Sequence, residues 1–149
     1  SPLYYIATMI PHDEEDHARI RRHLTERDGW GFTTLECGKN LLSLLDDPQV
    51  DPSGAFLLDS VTALLSNEMF DERGEFDPDA AKRIREDLTE FAAKTGSTVF
   101  VSDHIYSDAC EYSETVEAYR QGLATVDRAL ASVCERVIEI SGGMEEIWK

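Results

Sequence analysis

Leu3-Tyr4-Tyr5-Ile6-Ala7-Thr8-Met9 runs into Asp13-Glu14-Glu15-Asp16 and then Ala18-Arg19-Ile20-Arg21-Arg22-His23. The first stretch is apolar, uncharged and rich in aromatic and β-branched residues, so residues 3–9 read as a buried strand ending at a small hydroxyl residue, Thr8. Pro11 and Asp13 punctuate the chain. A helix is predicted over 13–27, with acids in its first turn and arginines in its last. Strand, short turn and helix in that order begin a parallel α/β arrangement.

The rest of the chain repeats the alternation. Phe32 to Cys37 reads as a strand and Asn40 to Asp46 as a helix. Asp51-Pro52-Ser53-Gly54 breaks the chain before Ala55-Phe56-Leu57-Leu58-Asp59, an uninterrupted apolar run that ends on an acid. A fully buried parallel strand reads this way when its carboxyl end opens on a site. Ser60 is placed to cap a segment from Val61 to Phe70, and Asp71 to Asp77 reads as a loop. A helix from Pro78 to Lys94 carries Ala81, Ile84, Leu88 and Phe91 at helical spacing, and Gly96 stops it. Thr98 to Asp103 reads as a strand and residues 113–135 as a long helix. Val137 to Ile140 forms a further strand, which Gly142-Gly143 allows to pair back with Glu146-Ile147-Trp148 as a hairpin. The expected architecture is a mostly parallel sheet with flanking helices and a C-terminal β-hairpin, in one domain over residues 1–149. Ligands of such sheets bind beyond the carboxyl ends of the strands. Thr8, Asp59 and Ser102-Asp103 are therefore the candidate positions.

Thirty acidic and 14 basic residues leave a net charge of −16, which disfavours nucleic acid as a partner. No segment approaches the length of an apolar membrane span, and no secretory pattern opens the chain. Three cysteines, Cys37, Cys110 and Cys134, form no CxxC pair, as suits a reducing, cytoplasmic setting. Against the acidic background, Arg19, Arg21, Arg22 and Arg27 make a local positive island suited to an anion.

On a helix advancing 100° per residue, Ile20 and Leu24 mark the apolar side of 13–27, and His23 lies about 60° from Ile20. Arg19 and Arg27 stand one turn before and after His23. Flanking cations favour a neutral, nucleophilic imidazole, and the guanidiniums can grip phosphate oxygens in pairs. An imidazole held against phosphate can attack phosphorus. The same residues also fit an ordinary surface histidine on a charged helix. His12, His17 and His23 do not share one helical face, so they do not form a metal site. Asp59 and Glu36 each end a strand-like run, where a carboxylate can bind Mg²⁺ or ribose and base donors; the same positions also fit a helix N-cap for Asp59 and ordinary surface for Glu36. Asp103-His104 could perform acid–base chemistry, although neighbours on an extended segment point apart. Cys110 has no recognisable base partner. No GxxxxGK[ST] loop occurs in these residues, so a P-loop kinase step is not built from them alone.

Taken together, Tyr5-Ile6-Ala7-Thr8, Asp13-Glu14-Glu15, Ala18-Arg19-Ile20-x-x-His23, Arg27 and Thr34-x-Glu36 resemble the bifunctional adenosylcobinamide kinase/adenosylcobinamide-phosphate guanylyltransferase family of cobalamin biosynthesis. The resemblance continues through Leu57-Leu58-Asp59, Ser66-Asn67-Glu68-Met69-Phe70, Val99 to Asp103, Ser107-Asp108, Glu114-Thr115 and Tyr119, and closes on Leu130-Ala131, Arg136-Val137 and Ser141-Gly142. It implies a three-layer P-loop NTPase-like fold whose first strand and phosphate loop would precede Ser1. It also implies two reactions: phosphorylation of adenosylcobinamide with ATP, and transfer of GMP from GTP to the resulting phosphate through a guanylyl-histidine. His23 matches the guanylylated histidine. Thr8, Met9, Ile10, Arg27 and Glu36 match nucleotide-contacting segments, and Arg19 joins them as a clamp. Asp59 stands where the family usually has Glu. Mg²⁺ would accompany the nucleotide, and the assembly implied is a homotrimer. Asp103-His104-Ile105 departs from the family's Asn-Glu-Val, and Asp127 replaces an Asn. A degenerate member that binds nucleotide or corrinoid without catalysis is the alternative reading.

Overall fold

The computed structural model describes residues 1–103 and 113–149. Its strands are β1 (Leu3–Ala7), β2 (Phe32–Glu36), β3 (Ala55–Asp59), β4 (Ser97–Val101), β5 (Ile138–Ser141) and β6 (Met144–Ile147). Its α-helices are α1 (Glu14–Glu26), α2 (Val61–Met69), α3 (Ala80–Lys94) and α4 (Glu114–Val133), and Leu41–Asp46 is a 3₁₀ helix. The first four strands form one parallel sheet in the order β2-β1-β3-β4. β5 and β6 pair antiparallel as a separate hairpin, with Ile138 opposite Ile147. The α/β reading, the parallel sheet and the hairpin therefore hold.

Several bounds differ from the sequence reading, each for a local reason. Asp13 caps α1, its carboxylate accepting from the Asp16 N–H at 2.8 Å, so the helix proper starts at Glu14. Residues 41–46 take the tighter 3₁₀ form after Asn40, which sits at φ 54°. α3 starts at Ala80 rather than Pro78, because Asp77 accepts from the Asp79 N–H at 2.9 Å and fixes the turn ahead of it. β4 ends at Val101, so Asp103 lies beyond the strand rather than in it.

Side chains alternate across the sheet, and the two faces are treated differently. Tyr4, Ile6, Phe56 and Leu58 pair in register on one face and join the core with Leu64, Leu65, Ile84, Leu88, Phe91, Leu123 and Val126 of α2, α3 and α4. Phe56 stacks on Tyr4 at 4.9 Å and meets the Phe91 edge at 5.2 Å. Each large apolar side chain buried there contributes about 1.5–3 kcal/mol. The other face carries Tyr5, Ala7, Leu57 and Asp59, with Val99 and Val101 at the same registers of β4. Helix α1 lies over the β1 side of that face and buries none of its own residues fully. Leu24, assigned from sequence to its apolar side, is 41% exposed, whereas Ile20 is half-buried. Val99 is 58% exposed, so this face is open toward β4.

Candidate functional site

A cleft of about 230 Å³ opens at the carboxyl ends of β1 and β3, under α1. Met9 and Thr8 reach it from the end of β1, His23 and Arg27 from α1, and Asp59 from the last position of β3. Asp103 enters from beyond β4. The convergence follows from the parallel register. Ala7 pairs with Asp59 on one side and Glu36 on the other, so the three strands end at one level.

Thr8 is fully buried, and its hydroxyl is occupied within the protein. It donates to the Ser60 carbonyl at 2.8 Å and accepts from the Ser60 N–H at 2.7 Å. Ser60 in turn caps α2, its hydroxyl accepting from the Ala63 N–H at 3.1 Å. The capping role that sequence allowed for Asp59 thus belongs to Ser60, and the Asp59 carboxylate is left to the cleft. The Asn67 amide donates to the carbonyls of Thr8 at 2.7 Å and Gly38 at 2.9 Å, tying together the chain beyond β1 and β2.

His23 is half-exposed, with its Nδ1 3.4 Å from Glu26 Oε2 one turn on. A carboxylate thus stands beside Nδ1, whereas sequence placed two guanidiniums around the ring. Arg27 caps the end of α1 and turns onto Tyr5, its guanidinium carbon 3.5 Å from the ring centroid. Its Nη2 donates to Thr34 Oγ1 at 3.4 Å, and its Nε is buried without a hydrogen-bond partner among the described residues. The Tyr5 hydroxyl donates to Asp59 Oδ2. Burial, reinforced by that bond and by the Asp59 charge, raises the Tyr5 pKa well above its ordinary value and keeps it a donor.

Asp103 is held at the rim, its N–H donating to Thr62 Oγ1 at 2.8 Å. Tyr119 donates to the Thr62 carbonyl at 2.8 Å. Its own pKa is pushed up to about 12, first by burial and then by the charges of Asp103 and Asp127. His104 and Cys110 lie outside the described residues. Among the described residues no group of three or more His, Cys, Asp or Glu side chains could hold a metal by itself. Asp59 and Asp103 nevertheless line one cleft, which suits an ion whose remaining ligands are phosphate oxygens and water.

His23, Arg27, Asp59, Thr8 and Met9 are brought together, whereas Ile10, Arg19 and Glu36 do not line the cleft. Ile10 packs so closely on Gly38 that a Cβ there would stand 2.4 Å from Ile10 Cγ1. Arg19 is half-buried on α1, and Glu36 is exposed at the end of β2. Tyr5, Ser60 and Ala63 line the cleft without having been singled out for it.

A parallel sheet with an imidazole, a guanidinium and carboxylates converging beyond its strand ends defines an α/β protein with a candidate ligand site at the carboxyl edge of its sheet. Comparison with known proteins narrows this class. The family model for cobinamide kinase/cobinamide phosphate guanyltransferase matches residues 1–146, and the chain belongs to that family of cobalamin biosynthesis. It is 25% identical over 152 residues to the bifunctional adenosylcobalamin biosynthesis protein CobU of Salmonella typhimurium, covering 95% of this chain and 83% of that protein. The protein of the same name from Escherichia coli is 36% identical over 80 residues, covering 53% of this chain and 42% of that one. No helix among the described residues is long and apolar enough to cross a membrane.

Proposed function

We propose that the protein transfers GMP from GTP to adenosylcobinamide phosphate through a guanylyl-histidine on His23. The observation that carries this is the convergence of His23, Arg27 and Asp59 on one cleft at the strand ends, in a member of this family. Glu26 Oε2, 3.4 Å from Nδ1, would favour the tautomer that carries its proton there, and Nε2 would then be the attacking nitrogen. Nε2 bonds to the α-phosphorus of GTP, the bond from that phosphorus to the bridging oxygen breaks, and pyrophosphate leaves with the electron pair. A phosphate oxygen of the corrinoid then attacks the same phosphorus. The P–N bond breaks and the imidazole is restored.

Arg27 supplies charge-assisted hydrogen bonds to phosphate oxygens as negative charge builds on them. Asp59 and Asp103 would hold a Mg²⁺ delivered with the nucleotide, which neutralises phosphate charge when bound. Thr8 and Met9 shape the nucleotide side of the site, with Ile10 packed on Gly38 outside the cleft lining. Arg19 and Glu36 serve it from outside the cleft lining. Phosphorylation of adenosylcobinamide with ATP belongs to the same proposal where a phosphate loop accompanies this segment. So do one nucleotide-binding domain over residues 1–149, a homotrimer and a cytoplasmic location.

The test is incubation with GTP labelled at the α-phosphate. An acid-labile, base-stable adduct on the protein is expected, absent from His23→Asn. A label retained by His23→Asn overturns the assignment, and GTP binding without pyrophosphate release identifies a non-catalytic nucleotide-binding member instead.

A further inference from the structure

We infer that Tyr5 is a positioning residue that couples the Asp59 carboxylate to the Arg27 guanidinium and so sets the geometry of the cleft; this rests on the nucleotide-site reading above. The two charged groups come from elements far apart in sequence, the end of β3 and the end of α1, and Tyr5 stands between them. Its hydroxyl binds Asp59 Oδ2, leaving Oδ1 for a ligand. Its ring supports the Arg27 guanidinium at 3.5 Å, which fixes the plane of the fork while Thr34 holds Nη2. The ring is itself fixed edge-on by Phe32, with centroids 6.2 Å apart. Tyr5 is 8% exposed and lies mid-strand, paired with Thr34 of β2 and Leu57 of β3, so it has little freedom to follow either charge. A rigid phenol between a carboxylate and a guanidinium does two things that a Phe or Leu cannot do together. It orients the carboxylate without neutralising it, and it holds the cation in place without a salt bridge that would consume both charges. No direct ion pair joins Arg27 to Asp59, so both keep capacity for ligand.

The test is a double-mutant cycle in the full-length protein with Tyr5→Phe, Asp59→Asn and the pair. The readouts are the rate of His23 labelling by α-labelled GTP at saturation and the KM for GTP. Tyr5→Phe keeps the ring under Arg27, so its labelling rate is expected to fall about tenfold with KM changed less than about twofold. In the Asp59→Asn background the same substitution is expected to add nothing. Tyr5→Leu, which also removes the ring, is expected to raise KM as well. A general loosening of the fold would instead multiply with Asp59→Asn, so multiplicative losses overturn the inference, as does a wild-type rate in Tyr5→Phe. If wild-type protein takes no label, the guanylyl-histidine reading fails. The same cycle is then read by calorimetry as GTP affinity, where non-additivity supports the role of Tyr5 and additivity overturns it. Absence of GTP binding by the wild-type protein overturns both.

Discussion

The Thr8 hydroxyl donates to the Ser60 carbonyl at 2.8 Å and accepts from the Ser60 N–H at 2.7 Å, pinning the chain just beyond β1 to the turn between β3 and α2. Both strands reach the cleft at this point, so the pair fixes the distance between its two walls. Thr8→Val keeps the shape but leaves the Ser60 N–H unpaired in a part-buried turn, while the Ser60 carbonyl keeps only the Leu64 N–H at 3.1 Å. The expected cost is about 1–3 kcal/mol, read as a lower urea midpoint. Thr8→Ser should recover most of it, because it restores the hydroxyl. If Thr8→Val unfolds at the wild-type midpoint, the bonds carry no stability.

Glu26 faces His23 Nδ1 at 3.4 Å and, on the proposed mechanism, selects the tautomer that frees Nε2. Glu26→Gln retains size and loses the charge. Labelling at saturating GTP should slow by about tenfold, with little change in GTP affinity, since a misoriented nucleophile costs rate rather than binding. Both residues are more than half exposed, so the effect should appear in rate and not in stability. An unchanged rate in Glu26→Gln would show that the imidazole needs no orienting partner.

Two carboxylates with opposite perturbations give opposite pH signatures. The Asp79 N–H and then Arg83 hold Asp77 below its ordinary pKa. Its stabilising contribution is therefore present above the ordinary carboxylate range and lost as pH falls through the lowered value. Asp77→Asn should lower the urea midpoint at pH 7 and converge on wild type in acid. Burial and then the Glu68 charge raise the pKa of Asp87. Between the ordinary and raised values the folded state holds the extra proton, so stability falls as pH rises through that window. Asp87→Asn should raise the midpoint at pH 7, with the gain vanishing in acid. A pH-independent difference for either variant would place its effect outside ionisation.

The parts legible in the sequence were those set by local pattern. The apolar run 55–58 ending on Asp59, the Asp13 and Ser60 caps and the Gly142-Gly143 turn each depend on residues within a few positions. The strand ends pointed to the cleft because parallel strands must finish at one level. Tyr5 was not legible as a site residue, because its partner Asp59 is 54 positions away and their contact depends on β1 pairing with β3 in one register. The orientation of Arg27 escaped for a related reason. Helical spacing put it one turn from His23, but it occupies the helix cap, where the backbone redirects the side chain toward the sheet. Leu24 misled because a helix covering only part of a sheet face has no second surface to bury it.

Gly96 joins α3 to β4 where the chain passes against the turn before β3. A Cβ at this position would stand 2.3 Å from the Ser53 carbonyl oxygen and 3.1 Å from that of Gly54. Both neighbours are backbone, and the Gly96 N–H is bonded to the Pro52 carbonyl at 2.9 Å, so neither side yields easily. Gly96→Ala should cost about 1–3 kcal/mol, seen as a lower melting temperature. Gly74→Ala meets no atom within 4 Å and should cost less, through its positive φ alone.

Arg27→Lys separates charge from shape at the cleft. Lysine preserves the positive charge but has neither the planar fork nor the flat face that lies on Tyr5. If Arg27 holds phosphate oxygens in pairs, the substitution should reduce kcat/KM for guanylyl transfer by about 10²-fold. Arg27→Ala should lose little more, because the fork rather than the charge does the positioning. If charge alone were needed, Arg27→Lys would stay within a few-fold of wild type while Arg27→Ala fell. Raising ionic strength separates the two cases further. A point charge in an open cleft is screened by salt, whereas a stacked, directed fork is screened less. A wild-type enzyme whose kcat/KM holds between low and physiological salt, paired with an Arg27→Lys variant whose kcat/KM drops over the same range, is the expected pattern. Equal salt sensitivity in both would assign Arg27 to general attraction of the nucleotide rather than to its alignment.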